Sequence, residues 1–111
     1  GRAEGNAQGA RLVMGEQCGI ASCVAINVAD SHRQAIGLGD HNECREITIG
    51  ERVCIGSHAA ILGGSAIGHH SVIAAGTIVR GETIPPYSLV IGNPAVVKAG
   101  YYRDQFENPQ P

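Results

Sequence analysis

Residues 47–94 read ITIGERVCIGSHAAILGGSAIGHHSVIAAGTIVRGETIPPYSLVIGNP, and every sixth residue from Ile49 onward is aliphatic at Ile49, Ile55, Ile61, Ile67, Ile73, Val79 and Ile91, with only Pro85 interrupting. Gly follows the aliphatic at Gly50, Gly56, Gly68 and Gly92. Four places further along each hexad stand Val53, Ala59, Ser65, Ser71, Thr77, Thr83 and Leu89, small or β-branched in all but the last case. Neither the 3.6 period of a helix nor the 2.0 period of a long strand generates this pattern. A β-branched residue and a turn-forming residue once per hexad predict a short strand, a bend and another short strand. Three such units close one triangular coil, and successive coils stack at the inter-strand spacing of about 4.8 Å with their aliphatics in ladders inside.

The same phase runs upstream through Met14, Ile20 and Ile26, with Leu12, Cys18 and Val24 two residues before each. Between Ile26 and Ile49 the register breaks, and this window holds Asp30, His32, Arg33, Asp40, His41, Asn42, Glu43 and Arg45. So polar a segment would starve a prism interior of filling, and it is read as an external loop that carries chemistry. The chain is therefore predicted to be one domain over residues 1–111. It comprises an N-terminal cap (1–10), a first hexad block (12–29), an external loop (30–46), a second hexad block (47–94) and a C-terminal tail (95–111). Both ends are expected to shield the open coil edges or to fray.

Composition bounds the function. Among 111 residues there are 16 Gly, one Phe and no Trp, which excludes a core packed from large aromatics and favours stabilisation by repetition and by contacts between copies. The formal charge is −2 and no Lys/Arg run is present, so neither nucleic acid nor an anionic membrane is an expected partner. No stretch approaches the roughly 18 apolar residues of a membrane span, and a cytoplasmic location is expected. Cys18, Cys23, Cys44 and Cys54 match neither a redox pair nor a paired zinc knuckle, and are read as reduced, partly buried thiols.

The order of these parts, a hexad block, a His-bearing loop, further hexads and a closing GNPA at 92–95, resembles the hexapeptide-repeat acyltransferases over residues 12–98. It is most similar to the branch of maltose, galactoside and capsular-sugar O-acetyltransferases. The resemblance implies an all-β fold, a left-handed parallel β-helix with one external loop and a short C-terminal tail, assembled as a homotrimer with its active sites in the clefts between prisms. It further implies transfer of an acetyl group from acetyl-CoA to a hydroxyl of a small-molecule acceptor, such as a sugar.

By the same resemblance VAINVADSHR places His32 as the general base, a task suited to an imidazole that titrates near neutral pH. Asp30, two residues earlier, either fixes the ring's tautomer or forms a turn. CIGSHAAIL matches at Ser57, a contact to the pantetheine arm, and IAAGTIVRG matches at Ala75, a main-chain contact, with Arg80 near the coenzyme. Arg80 and Lys98 are the cations expected to meet the coenzyme's phosphates. The loop residues Arg33, Asp40, His41 and Glu43 are expected to contact the acceptor. Gly92, Asn93 and Pro94 turn the chain out of its last coil. Cys54 occupies the place of a common Trp.

Two other functions fit such a prism. One is a non-catalytic scaffold subunit of hexapeptide repeats. The other is a metal-dependent hydratase of the γ-carbonic anhydrase type, which needs two His five residues apart. Here His69 and His70 are adjacent and no pair has that spacing, so both are read as solvated bend residues and no metal is expected.

Overall fold

Each hexad forms a strand of two or three residues and then bends, as a single β-branched pair between turn residues dictates. The computed structural model describes residues 3–7, 10–30, 32–38 and 43–107. Strand β1 (Ala3–Ala7) runs antiparallel to β2 (Ala10–Met14). The first coil is β2, β3 (Gly19–Ile20) and β4 (Ala25–Asn27). The excursion follows: β5 (Ala29–Asp30), α1 (His32–Ala35) and β6 (Glu43–Cys44). The second coil is β7 (Ile47–Ile49), β8 (Cys54–Ile55) and β9 (Ala60–Leu62), and the third is β10 (Ala66–Ile67), β11 (Val72–Ile73) and β12 (Ile78–Val79). Strands β13 (Thr83–Ile84) and β14 (Leu89–Ile91) begin a fourth, and β15 (Val96–Lys98) and α2 (Arg103–Glu107) end the described chain.

Parallel pairing of equivalent strands makes three faces: β2-β7-β10-β13, β3-β8-β11-β14 and β4-β9-β12. The fold is the left-handed parallel β-helix. Partners on the second and third coils are 18 residues apart, three hexads per coil. Partners on the first and second coils are 35 apart, so 17 extra residues are accommodated outside the prism, where β5 and β6 pair only with each other.

The interior is three ladders: Met14, Ile49, Ile67 and Ile84; Ile20, Ile55, Ile73 and Val90; Ile26, Ile61 and Val79. From the second coil upward these side chains are buried, each worth about 1.5–3 kcal/mol of transfer free energy. On the first coil they pack against the core but are only partly covered, and Ile20 is 44% exposed, because β1 lies along one edge of that coil.

The expected phase fails after Val79. Third- and fourth-coil partners are 17 residues apart, not 18, so Ile84 and Val90 fill the ladders, while Pro85 is exposed and Ile91 is 40% exposed. Likewise Ser88 is buried, not Thr83 or Leu89. The corner at Arg80–Glu82 is one residue short, and the two prolines are displaced into the next bend. There Pro86 precedes Tyr87 at φ 61°, the arrangement a tight turn with proline in its second place favours. Three buried hydroxyls hold the shortened coil: Ser65, Ser71 and Thr77 accept the amides of Gly81, Ser88 and Gly92 at 2.9, 3.1 and 3.0 Å.

The tail reverses after Gly92, and β15 lies antiparallel on β14 with Lys98 opposite Leu89. Of the cysteines, Cys18 is half-buried with its thiol donating to the Gly50 carbonyl, but Cys23 and Cys54 are exposed, against the expectation of burial.

Candidate active site

Because equivalent hexads stack, a residue 18 positions after another stands one coil above it, and each corner of the prism becomes a column. The corner between the second and third faces carries Ser57 and Ala75. Gly76 N–H donates to Ser57 O at 2.9 Å, and a Cβ on Gly56 would lie 2.5 Å from the Ala75 nitrogen. Main chain here touches main chain, and the side chains of Ser57 and of exposed Ala75 beside it are small. Exposed His58 follows Ser57 at the same bend.

The corner between the third and first faces is where the chain leaves for the excursion and returns. Asn27, Val28, Ala29, Arg45, Leu62, Gly63 and Arg80 line a cavity of about 280 Å³ at that root. The Asn27 side-chain oxygen accepts the Ala29 N–H at 3.0 Å and sets the exit turn, and the Arg45 N–H donates to Val28 O at 2.9 Å on the way back. Gly63 and Gly64 stand one coil above Arg45 and Glu46, and the Arg45 guanidinium lies against Gly64. Arg80 belongs to this corner and not to the one that carries Ser57 and Ala75.

His32 opens α1, three residues beyond Ala29, and its side chain is exposed. Arg33 follows on the same exposed turn, while Asp40 and His41, and the side chains of Asp30 and Glu43, lie outside the described residues. Lys98 is exposed at the far end of β15, its Nζ 5.8 Å from the centre of the Tyr101 ring. One protomer thus presents the expected site residues in three places: Ser57 and Ala75 on one corner, His32 and Arg80 about the loop root, and Lys98 on the tail strand.

His69 and His70 are not simply solvated bend residues. Their Nδ1 atoms are 2.9 Å apart, His70 stacks on Tyr87, and Phe106 of α2 packs edge-on against both His70 and Tyr87. Arg103 adds a cation 5.3 Å from the centre of the Tyr87 ring. The cluster docks the tail helix onto the corner between the first and second faces. Among the described residues no three His, Cys, Asp or Glu side chains gather at one point.

Over 51 residues the chain is 49% identical to a Staphylococcus aureus protein named as an acetyltransferase, and over 51 residues it is 51% identical to the galactoside O-acetyltransferase of Escherichia coli. Each match takes 46% of this chain and 25% of the relative. The solved galactoside acetyltransferase in complex with coenzyme A superposes with a TM-score of 0.65 at 31% identity, covering 85% of this chain and 48% of that one. The chain is similar to the hexapeptide-repeat acyltransferases in sequence and in fold. It matches no protein-family model, and it spans about a quarter of the length of the curated relatives it matches. Within this hexapeptide-repeat prism, Arg45 is the site residue that periodicity alone does not single out. Its signal is indirect: the paired glycines 63–64 and Gly81 follow Arg45 and Glu46 at one-coil and two-coil spacing.

Proposed function

We propose that the protein is a cytoplasmic CoA-dependent O-acetyltransferase that moves an acetyl group from acetyl-CoA to a hydroxyl of a sugar or related small molecule, with His32 as general base. The observation that carries this reading is the single excursion between phased coils. It carries an exposed imidazole three residues beyond Ala29, which lines a cavity whose described polar side chains are those of Asn27, Arg45 and Arg80.

In this reading the pantetheine arm lies on the Ser57–Ala75 corner and Lys98 meets a phosphate. His32 takes the proton of the acceptor hydroxyl as its oxygen bonds to the acetyl carbon. The carbon–sulfur bond then breaks, and the imidazolium returns the proton to the departing thiolate, so no covalent enzyme intermediate is needed.

Ser57 and Ala75 occupy a different corner from the loop root, so a working site draws on two copies, in a homotrimer. Ile36 and Leu38, 68% and 60% exposed on the excursion, give it an apolar surface to lay against a neighbour. The test is mass spectrometry of a panel of sugars and other hydroxyl compounds incubated with acetyl-CoA and the protein. An acetylated product supports the reading, and a panel without product at saturating acetyl-CoA overturns it.

A further inference from the structure

The cavity at the loop root offers side-chain donors in excess. Asn27 uses its oxygen on the Ala29 N–H, which leaves its amide nitrogen to donate, and Arg45 and Arg80 contribute guanidinium groups. Among the described residues no carboxylate lines the cavity. Of the acidic side chains that are described, Glu46 meets Arg11 at 3.6 Å and Glu82 accepts the Arg80 main-chain N–H. Among the described residues neither guanidinium meets an acidic partner. Two like charges gathered at one cavity repel unless an anion sits between them.

The corner is also shaped for this. Gly63, Gly64 and Gly81 remove side chains from the column above Arg45, and the Arg45 Nη2 lies 2.6 Å from where a Cβ on Gly64 would stand and 3.7 Å from that on Gly81. The guanidinium therefore reaches upward along the corner toward the coil that bears Arg80.

We propose that Arg45 and Arg80 form a phosphoryl-binding subsite and that the acceptor is a phosphorylated compound whose phosphate seats there while its hydroxyl is presented to His32. Two guanidinium groups match the charge of a phosphomonoester dianion and bind it through paired, charge-assisted hydrogen bonds. The acceptor is favoured over the coenzyme as the source of the phosphate because Ala29 of the cavity wall stands only three residues before His32 in the chain. The identity of the ligand as acceptor rests on the transfer reading above. The subsite itself does not, since binding phosphate requires no acetyl transfer.

The test is calorimetric titration of the full chain with inorganic phosphate and with pyrophosphate, alone and with saturating CoA, alongside Arg45→Gln and Arg80→Gln. Phosphate is expected to bind with CoA present, and each variant is expected to weaken it roughly 10- to 100-fold, as loss of a charged hydrogen-bonding group does. CoA affinity and melting temperature should stay unchanged, and Arg45→Lys should fall between. In turnover, KM for glucose 1-phosphate should rise in the Gln variants while KM for methyl glucoside does not. Absence of phosphate binding, or its displacement by CoA, would overturn the proposal, as would unaltered binding in both variants. Binding is read without turnover, so a chain that transfers no acetyl group refutes the proposed reaction separately.

Discussion

A Cβ on Gly64 would stand 2.6 Å from Nη2 of Arg45, so the guanidinium occupies the space a side chain would take at that corner. Gly64 also has φ +88°, outside the range L-residues prefer. Gly64→Ala is therefore expected to cost about 1–2 kcal/mol of stability from the backbone alone and to push Arg45 aside. Gly76, at φ +74° with open space around its missing Cβ, separates the two effects. Both alanine variants should melt several degrees lower, but only Gly64→Ala should weaken phosphate binding. Equal phosphate affinity in the two would disconnect Gly64 from the placement of Arg45.

The ladders make a second prediction that reverses the simple six-residue count. Ile84 is buried while Ile91 is 40% exposed. Truncating a buried isoleucine costs about 2–5 kcal/mol, so Ile84→Ala should lower the denaturation midpoint sharply. Ile91→Ala should remain within about 1 kcal/mol of the parent. Matched denaturant titrations of the two variants decide the phase, and the opposite ranking would restore the count through Pro85.

That phase error shows where the sequence stops being legible. The ladders from Met14 to Val79 follow from β-branched residues at fixed stride, because each must face inward for the coil to bury anything. Past Val79 the count depends on how many residues a corner needs, a matter of backbone geometry at Arg80–Glu82 that no side-chain pattern records. The site behaves similarly. His32 stands out because a polar window interrupts the ladders, and Ser57 and Ala75 because a family motif matches them. Arg45 becomes visible only once coils stack, since its neighbours Gly64 and Gly81 are distant in sequence. His70 reads as solvated because the tail that packs on it, through Phe106, carries no repeat.

That tail cluster supplies a third prediction. Phe106 meets His70 and Tyr87 with ring centres 5.1 and 5.3 Å away, and it is still 60% exposed. Edge-on aromatic pairs contribute about 0.5–1.5 kcal/mol each, enough to hold a five-residue helix but not to govern the prism. Phe106→Ala should accelerate amide exchange at residues 103–107 and leave the second and third coils unaffected. Exchange that rises throughout the chain would assign α2 a global role.

Tyr102 sets an alkaline limit. Burial raises its phenol above the usual value near 10, and the Tyr101 and Cys54 groups add to the rise. The folded state therefore holds this proton more tightly than the unfolded chain does. The stability it contributes is complete below the unfolded pKa and is lost as pH climbs through the folded one. Melting temperature should decline above about pH 10, and Tyr102→Phe should flatten that decline. An unchanged slope in the variant would mean that another group governs it.

The sharpest prediction concerns His32. It stands on the exposed turn of α1, outside all three ladders, so His32→Ala should alter stability by no more than about 0.5 kcal/mol. A lost general base lowers turnover by about 10²- to 10⁴-fold. With the Ser57–Ala75 corner untouched, affinity for CoA should hold, so the loss should appear in kcat at saturating acetyl-CoA. Steady-state kinetics beside thermal melts separate the outcomes. A fall in kcat with intact CoA affinity and melting temperature assigns the proton transfer to this imidazole. A fall that tracks a lower melting temperature makes the residue structural, and undiminished kcat moves the base elsewhere on the excursion.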